Sequence, residues 1–350
     1  MSQARSADWM AFVPLGAVGE GSSARIRGRS GATLVVSRGP CVRASSRRRC
    51  GVPLRMQVDG MEVQIERSDE LCVMVNGVPG PMATEVARAV LRRKLPLVPF
   101  ALTGPSVAQH EASIDGSSEV KLVKPDAARS VLKQIKAARP NVVCVDYTHP
   151  SSANANASLY AECGVCYVMG TTGGDADAMR REVADKAGMF AVVAPNMAKQ
   201  IVAFQAAMKI MAEQFPGAFE GYTLTVVESH QSTKADTSGT AKAVVASFKQ
   251  LGLDFDVDQI EKVRDPEQSI SRMRVPADAV SSGHAFHTYH LSSPDGSVHF
   301  EFQHNVAGRR VYAEGTVDAV QFLDRQRGSG SASQTVFDMI DVLRSGSMKS

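Results

Sequence analysis

The 350-residue chain carries 39 Lys+Arg against 36 Asp+Glu, a formal net charge of +3, with 44% hydrophobic and 21% charged residues. The charge is uneven: residues 1–56 hold ten arginines, no lysine and only Asp8 and Glu20, a segment charge of +8 that leaves the other 294 residues at −5. An acidic body lacks the positive excess that nucleic-acid binding uses, and no apolar run reaches the roughly 18 residues of a membrane span, so neither nucleic acid nor membrane is an expected partner.

The first segment is rich in Arg, Ser, Ala and Gly, with SSARIRGRSGA and RASSRRRC. It has no long apolar core, which argues against a secretory signal. The pattern fits an organelle transit peptide, with cleavage expected between about Ala44 and Met56; a disordered basic tail is the alternative. Arginine content alone does not separate plastid from mitochondrion. Cys72, Cys144, Cys163 and Cys166 lie in or beside apolar runs, the usage of a reducing compartment rather than a disulfide framework.

In chain order, Leu71–Val75 reads as a buried strand ending at Asn76-Gly77, and Met82–Leu91 as the helix after it. Leu97–Leu102 is a second apolar run. Ala127–Ala138 reads as helix, Val142–Asp146 as strand, Ser151–Cys163 as helix and Val165–Met169 as strand. Asp175–Ala187 and Phe190–Ala194 repeat the alternation. Alternating strands and helices predict an α/β fold with a doubly wound, Rossmann-type parallel sheet. The pattern then changes. Met197–Phe215 carries a helical stripe of Ile201, Phe204, Met208, Met211 and Phe215. Tyr222–Glu228 and Val298–Gln303 alternate apolar with polar, as one-faced strands do. A second α+β domain is expected over 197–308, with 70–196 and 309–350 forming the dinucleotide-binding domain. Helices at Thr316–Arg325 and Thr335–Leu343, split by a Gly/Ser loop at 328–333, close the chain.

Three stretches carry chemistry. Gly77-Val78-Pro79-Gly80-Pro81-Met82-Ala83 follows a strand and opens a helix, where backbone can approach a pyrophosphate. Its glycine pattern is GxxG rather than GxGxxG. Gly170-Thr171-Thr172-Gly173-Gly174 ends a later strand, the edge at which open α/β sheets hold ligands. No Asp or Glu stands in Pro99–Gly104 to take a ribose hydroxyl, which tilts the expected cofactor towards NADPH. In Glu228-Ser-His230-Gln231-Ser-Thr-Lys234-Ala-Asp236-Thr-Ser238-Gly239-Thr240, a strand ends at Glu228, so His230 and Lys234 are expected in a loop. A helix over Thr240–Lys249 follows, and its N-terminus suits a carboxylate. A histidine supplies a proton near neutral pH, and a lysine supplies charge for an anionic substrate.

That last stretch, with VDYTHP (145–150), VMGTTGG (168–174) and APNM (194–197), resembles dihydrodipicolinate reductases. MAEQFPGAFEGY (211–222), SGHAFHTYHL (282–291), FEFQHN (300–305) and YAEGTVDAV (312–320) resemble the plant and algal branch. The resemblance spans about residues 71–345. It implies reduction of 4-hydroxy-tetrahydrodipicolinate, via dihydrodipicolinate, to tetrahydrodipicolinate with NADPH or NADH, in the diaminopimelate route to lysine. It implies His230 as general acid and Lys234 as an assisting charge partner or proton donor. Substrate contacts are implied for Gln231, Ser238, Gly239, Thr240 and Thr172. The cofactor-lining residues implied are Gly77, Val78, Gly80, Pro81, Met82, Tyr147, Thr148, Gly170, Thr171, Thr172, Ala194, Pro195, Asn196, Met197 and Arg309. The family usually has a basic residue at 81 and Gly at 83; Pro81 and Ala83 depart from this, so a raised cofactor Michaelis constant is expected. A small dicarboxylate is the implied ligand, a homodimer or homotetramer the implied assembly, and the plastid the implied address.

Five of the eight histidines lie at 284, 287, 290, 299 and 304. On strands His284 and His290 share a face and His287 points away, and no carboxylate cluster accompanies them in sequence, so no metal site is expected. Cys163 and Cys166 are a single pair, short of a zinc set.

Overall fold

The computed structural model describes residues 54–58, 61–184, 186, 188–329 and 334–346. All but the last three residues of the expected transit peptide, and 330–333 of the Gly/Ser loop, lie outside the described residues. Leu54–Val58 (β1) and Met61–Ile65 (β2) pair as an antiparallel hairpin, so described structure begins inside the segment set aside as leader.

Cys72–Asn76 (β3) is buried along its whole length. A strand with no polar face suits a parallel sheet covered on both sides. Pro81–Arg92 (α1) follows, with Pro81 in the first turn, where a missing N–H breaks no helical bond. Next come Phe100–Leu102 (β4), Glu111–Ser113 (β5) and Glu119–Val123 (β6). The Leu97–Leu102 run reads as one strand but is split. Leu97 bridges Val73 of β3, whereas Phe100–Leu102 pairs with β6. Pro99 lies between them and has no N–H to continue the ladder. Strands β5 and β6 went unread because three residues of β5, none of them buried, carry no periodic signal.

Pro125–Ala138 (α2), Val142–Asp146 (β7), Ala153–Glu162 (α3), Cys166–Met169 (β8), Ala176–Ala184 (α4) and Ala191–Val193 (β9) continue the alternation. Lys199–Gln214 (α5), Thr223–His230 (β10), Gly239–Gln250 (α6), Glu261–Val263 (β11), Pro266–Ser271 (α7) and Ala277–Ser282 (α8) follow. His284–Ser292 (β12), His299–Ala307 (β13), Arg310–Ser329 (α9), Val336–Phe337 (β14) and Met339–Arg344 (α10) complete the chain. The expected Thr335–Leu343 helix is therefore a short strand plus one helical turn and a half, and the helix before it runs far longer than Thr316–Arg325.

The main sheet has the order β14-β9-β8-β7-β3, all parallel. One face packs Val73, Val75, Val143 and Val145 against α1 and α9; the other packs Cys72, Met74, Val142 and Cys144 against α2 and α3. Each such buried side chain contributes roughly 1.5–3 kcal/mol, so packing rather than strand propensity holds these five-residue strands. Strands β4, β6 and β5 form a separate three-stranded sheet.

A second sheet has the order β11-β10-β12-β13, with β10 parallel to β11 and antiparallel to β12. Leu224, Val226, Tyr289 and Leu291 pack on Met208 of α5 and on Val244 and Phe248 of α6. The stripe on α5 stops short of Phe215, which is 63% exposed at the helix end. Strand β13 is an edge, and Val298 and Phe300 are each 40% exposed rather than buried on one face as their alternation predicts.

Candidate active site

The glycine turn is shaped by its neighbour. Gly77 has a φ of 98°, and a Cβ there would lie 2.2 Å from the Tyr147 carbonyl oxygen. Only glycine lets the chain cross the end of β7 at that distance. Gly170 is equally constrained, since a Cβ would sit 2.4 Å from the Tyr147 ring. Tyr147 is thereby wedged between two turns, and its hydroxyl is 2.7 Å from Thr316 Oγ1 on α9. The Val78–Pro79 peptide is cis.

A cleft of about 860 Å³ opens at this carboxyl edge of the sheet, lined by Gly77, Gly80, Pro81, Met82, Tyr147 and Thr148 among others. Its lining includes Thr103, Ser106 and Arg129 but no Asp or Glu. The Val78 side chain is buried in the core and is not part of that lining. The backbone cradle and the position at strand ends fit a nicotinamide dinucleotide.

A second cleft, about 250 Å³, adjoins the first through Met82 and Tyr147, which line both. It gathers Gly170, Pro195, Asn196, Met197, His230, Gln231 and Arg309 from both sheets and their connections. Arg309 also lines a separate cavity of about 420 Å³ with Pro79, Pro81, Arg88 and Arg310. Ala194 is buried behind the cleft in the core, and Thr172 is exposed outside it. Lys234, Ser238 and Gly239 stand outside its lining too. Thr240 is tied to it through its Oγ1, which accepts a bond from Asn196 Nδ2 at 3.2 Å.

His230 is not in a loop. It is the last residue of β10, paired in register with Ala285 of β12. Its Nε2 lies 3.3 Å from Nε2 of His287, a buried residue of the neighbouring strand, and the His287 ring stacks on His304. Behind them Glu228, fully buried, sits with Oε2 3.8 Å from His287 Nε2. Arg264 compensates that carboxylate, its Nη2 donating to Oε1 at 2.5 Å, while the Ser238 N–H donates to Oε2 at 3.0 Å. Arg264 also donates to the Lys234 and Asp236 carbonyls, at 2.6 and 3.2 Å. The 231–238 segment is thus wrapped around one guanidinium. Lys234 Nζ is 2.8 Å from Asp236 Oδ1.

Burial, then the positive charge of Arg264 and Lys234, pushes the His230 imidazole down to about 3 from an ordinary 6.5. Burial likewise holds His287 well below the usual histidine range and His304 at about 4. Free of substrate, the three rings are neutral at physiological pH.

Glu228, His287 and Arg264 escaped the sequence reading. The two carboxyl-end neighbours meet only through the β10–β12 pairing, and Arg264 arrives from the end of β11, more than thirty positions on. The alternation of histidines along β12 was the available signal for His287. Contrary to expectation, a carboxylate does accompany the histidines: ligand atoms of Glu228, His230 and His287 lie within 4.8 Å of one another. The guanidinium of Arg264 already occupies Glu228, which disfavours a cation there. The Cys163 and Cys166 thiols are free.

A parallel sheet with a cofactor cleft at its carboxyl edge, joined to a second sheet that delivers a histidine to the same cleft, defines a two-part reductase of the nucleotide-binding class. Comparison with known proteins makes the class specific. Residues 71–197 match the family described as dihydrodipicolinate reductase, N-terminus, and residues 200–343 match dihydrodipicolinate reductase, C-terminus. The chain belongs to the dihydrodipicolinate reductase family. A rice (Oryza sativa subsp. japonica) protein named probable 4-hydroxy-tetrahydrodipicolinate reductase 2, chloroplastic, is 50% identical over 277 residues, 79% of this chain and 84% of the relative. Arabidopsis thaliana 4-hydroxy-tetrahydrodipicolinate reductase 1, chloroplastic, is 48% identical over 279 residues, 80% of this chain and 79% of that protein. Among solved structures, dipicolinate-bound dihydrodipicolinate reductase from Paenisporosarcina sp. TG-14 shares the fold, with a TM-score of 0.54 and 16% identity over 77% of this chain and 97% of that one.

Proposed function

We infer that this chain carries out the family's reaction, the NAD(P)H-dependent reduction of 4-hydroxy-tetrahydrodipicolinate, after loss of water, to tetrahydrodipicolinate in lysine biosynthesis. The observation that carries the reading is the convergence in one cleft of His230 from the second sheet with Gly170, Asn196, Met197 and Met82 from the first. The bound nicotinamide supplies the hydride. The chain's own residues bind, orient and move the proton. Gly77 to Met82, Tyr147, Thr148, Gly170, Thr171 and Pro195 to Met197 line the cofactor's path. The acid-free lining favours NADPH over NADH, because no carboxylate opposes a 2′-phosphate.

Lys234, the Ser238–Thr240 helix start and Gln231 receive the substrate's carboxylates. Those two negative charges offset the fields of Arg264 and Lys234 that help keep His230 neutral, so substrate binding raises the proton affinity of His230. His230 then hands its proton to carbon as the hydride arrives. Residues 70–196 with 309–350 make up the cofactor domain in this reading, and 197–308 the substrate domain. The exposed edge of β13 fits self-association into a dimer or tetramer. The arginine-rich first segment, with the word chloroplastic in the names of the rice and Arabidopsis relatives, supports import into a plastid.

The test is steady-state oxidation of NADPH and NADH by the purified chain, given the product of dihydrodipicolinate synthase. Turnover with both, faster with NADPH, is the expected result. Absence of turnover with either cofactor overturns the reading.

A further inference from the structure

Asn76 and Asp146 end neighbouring parallel strands, stand opposite each other in register and are both fully buried. They are joined by Tyr160 of α3. Asn76 Nδ2 donates to the Tyr160 hydroxyl at 2.9 Å, and that hydroxyl donates to Asp146 Oδ2 at 2.6 Å. Asn156 Nδ2 donates to the same oxygen at 2.9 Å. The other oxygen, Oδ1, accepts from the Thr148 N–H at 3.0 Å, the Thr148 hydroxyl at 2.8 Å and the Thr171 hydroxyl at 2.7 Å. The Asp146 carbonyl accepts from the Gly170 and Thr171 N–H groups at 3.0 and 3.1 Å.

All five donors to this carboxylate are neutral. Burying a charge without a cationic partner is costly, and only a full set of hydrogen bonds offsets it. A strand end with no task would close with an apolar residue at no such cost. What the charge accomplishes here is visible in its partners. Thr148 and Thr171 belong to two different turns, both on the cofactor's path. The network also reaches a third: Asn76 Oδ1 accepts from the Leu102 N–H at 2.8 Å, at the end of β4.

We propose that Asp146 is a positioning residue for the cofactor: its carboxylate locks the 147–149 and 170–172 turns to each other and so shapes the floor of the NAD(P)H cleft. The proposal rests on the cofactor reading given above. It assigns to Asp146 no contact with substrate and no part in proton transfer.

The experiment is direct NADPH binding, followed by nucleotide fluorescence, to the wild type and to Asp146→Asn, Thr148→Val and Thr171→Val. The Asn variant keeps the shape but sets an amide N–H against donors, so the NADPH Kd is expected to rise about ten-fold or more, with kcat at saturating cofactor falling less than about three-fold. Each Val variant is expected to raise Kd about three-fold and to lower the melting temperature modestly, because the buried carboxylate loses one donor. Adding Thr171→Val to Asp146→Asn is expected to cost less than the product of the two separate effects, because both changes act on the same hydrogen bond. Should Asp146→Asn fail to fold, the Thr148→Val/Thr171→Val pair decides, with a Kd about ten-fold above wild type expected. An unchanged Kd in the Val variants, or fully multiplicative effects with Asp146→Asn, overturns the proposal. A wild type that binds neither NADPH nor NADH instead overturns the cofactor reading beneath it.

Discussion

At the end of β7 a buried carboxylate is held by five neutral donors; at the end of β10 a buried carboxylate is held by an arginine and stands behind two histidines in line. The two regions solve one problem, a charge buried at a strand end, with different chemistry. The donors around Asp146 are hydroxyls, an amide and a backbone N–H, so that end of the cleft is held by neutral hydrogen bonds. Around Glu228 the neighbours are His230 and His287, whose protonation depends on what else enters the cleft. The first plan suits a platform that must hold a cofactor. The second suits a centre that must gain and release one proton.

The largest effect that should divide the two regions is on turnover. His230→Gln removes the proton donor and is expected to lower kcat by about 10³-fold, read by NADPH oxidation at saturating substrate. Arg264→Met should damage the catalytic end through stability. It leaves Glu228 buried without its partner, a loss of about 3–5 kcal/mol in urea denaturation. A second change, Glu228→Gln, is expected to recover much of that loss, whereas no recovery would mean that Arg264 acts mainly through the 231–238 segment it bonds.

pH should separate the regions further. His230, His287 and His304 all have folded values below the unfolded 6.5. Below about 6.5 the unfolded chain takes up protons that the folded chain refuses, so this stability is complete above that pH and drains away as pH falls towards about 3. A melting temperature that drops between pH 7 and pH 5, with a shallower drop in His304→Asn, is the expected outcome. A flat profile would place the rings in wetter surroundings than the fold gives them. The smallest effect belongs to the glycine turn. Pro81→Lys restores a cation at the helix start and is expected to lower the NADPH Michaelis constant about two- to five-fold. No change would show that the loop, with Arg309, Arg310 and Arg88 around the neighbouring cavity, is not short of positive charge.

The parallel sheet was legible because its strands are short, wholly apolar runs separated by helical stripes, and burial on both faces leaves no other reading for VVCVD. The two glycine turns were legible because only glycine tolerates the approach of Tyr147. What escaped was set by pairing between distant segments. His230 read as a loop residue because the apolar alternation of β10 fades at Glu228, yet β12 keeps pairing with it up to Ala285. Residues 228–230 are polar and buried, the combination that a hydropathy pattern assigns to a turn. Arg264 is invisible for the same reason, and His287 showed only as one of the histidines alternating along β12: their meaning lies in Glu228, which neither adjoins in sequence. The polar hub at Asp146 was half legible, since VDYTHP and GTTGG were both singled out but nothing in the chain order says that one carboxylate binds both.

The most direct test of the division between the two regions is the NADPH dissociation constant of His230→Gln. A value within about two-fold of wild type, beside the loss of turnover, is the predicted result. A ten-fold weakening would contradict it, placing His230 in the cofactor's grip rather than at the proton.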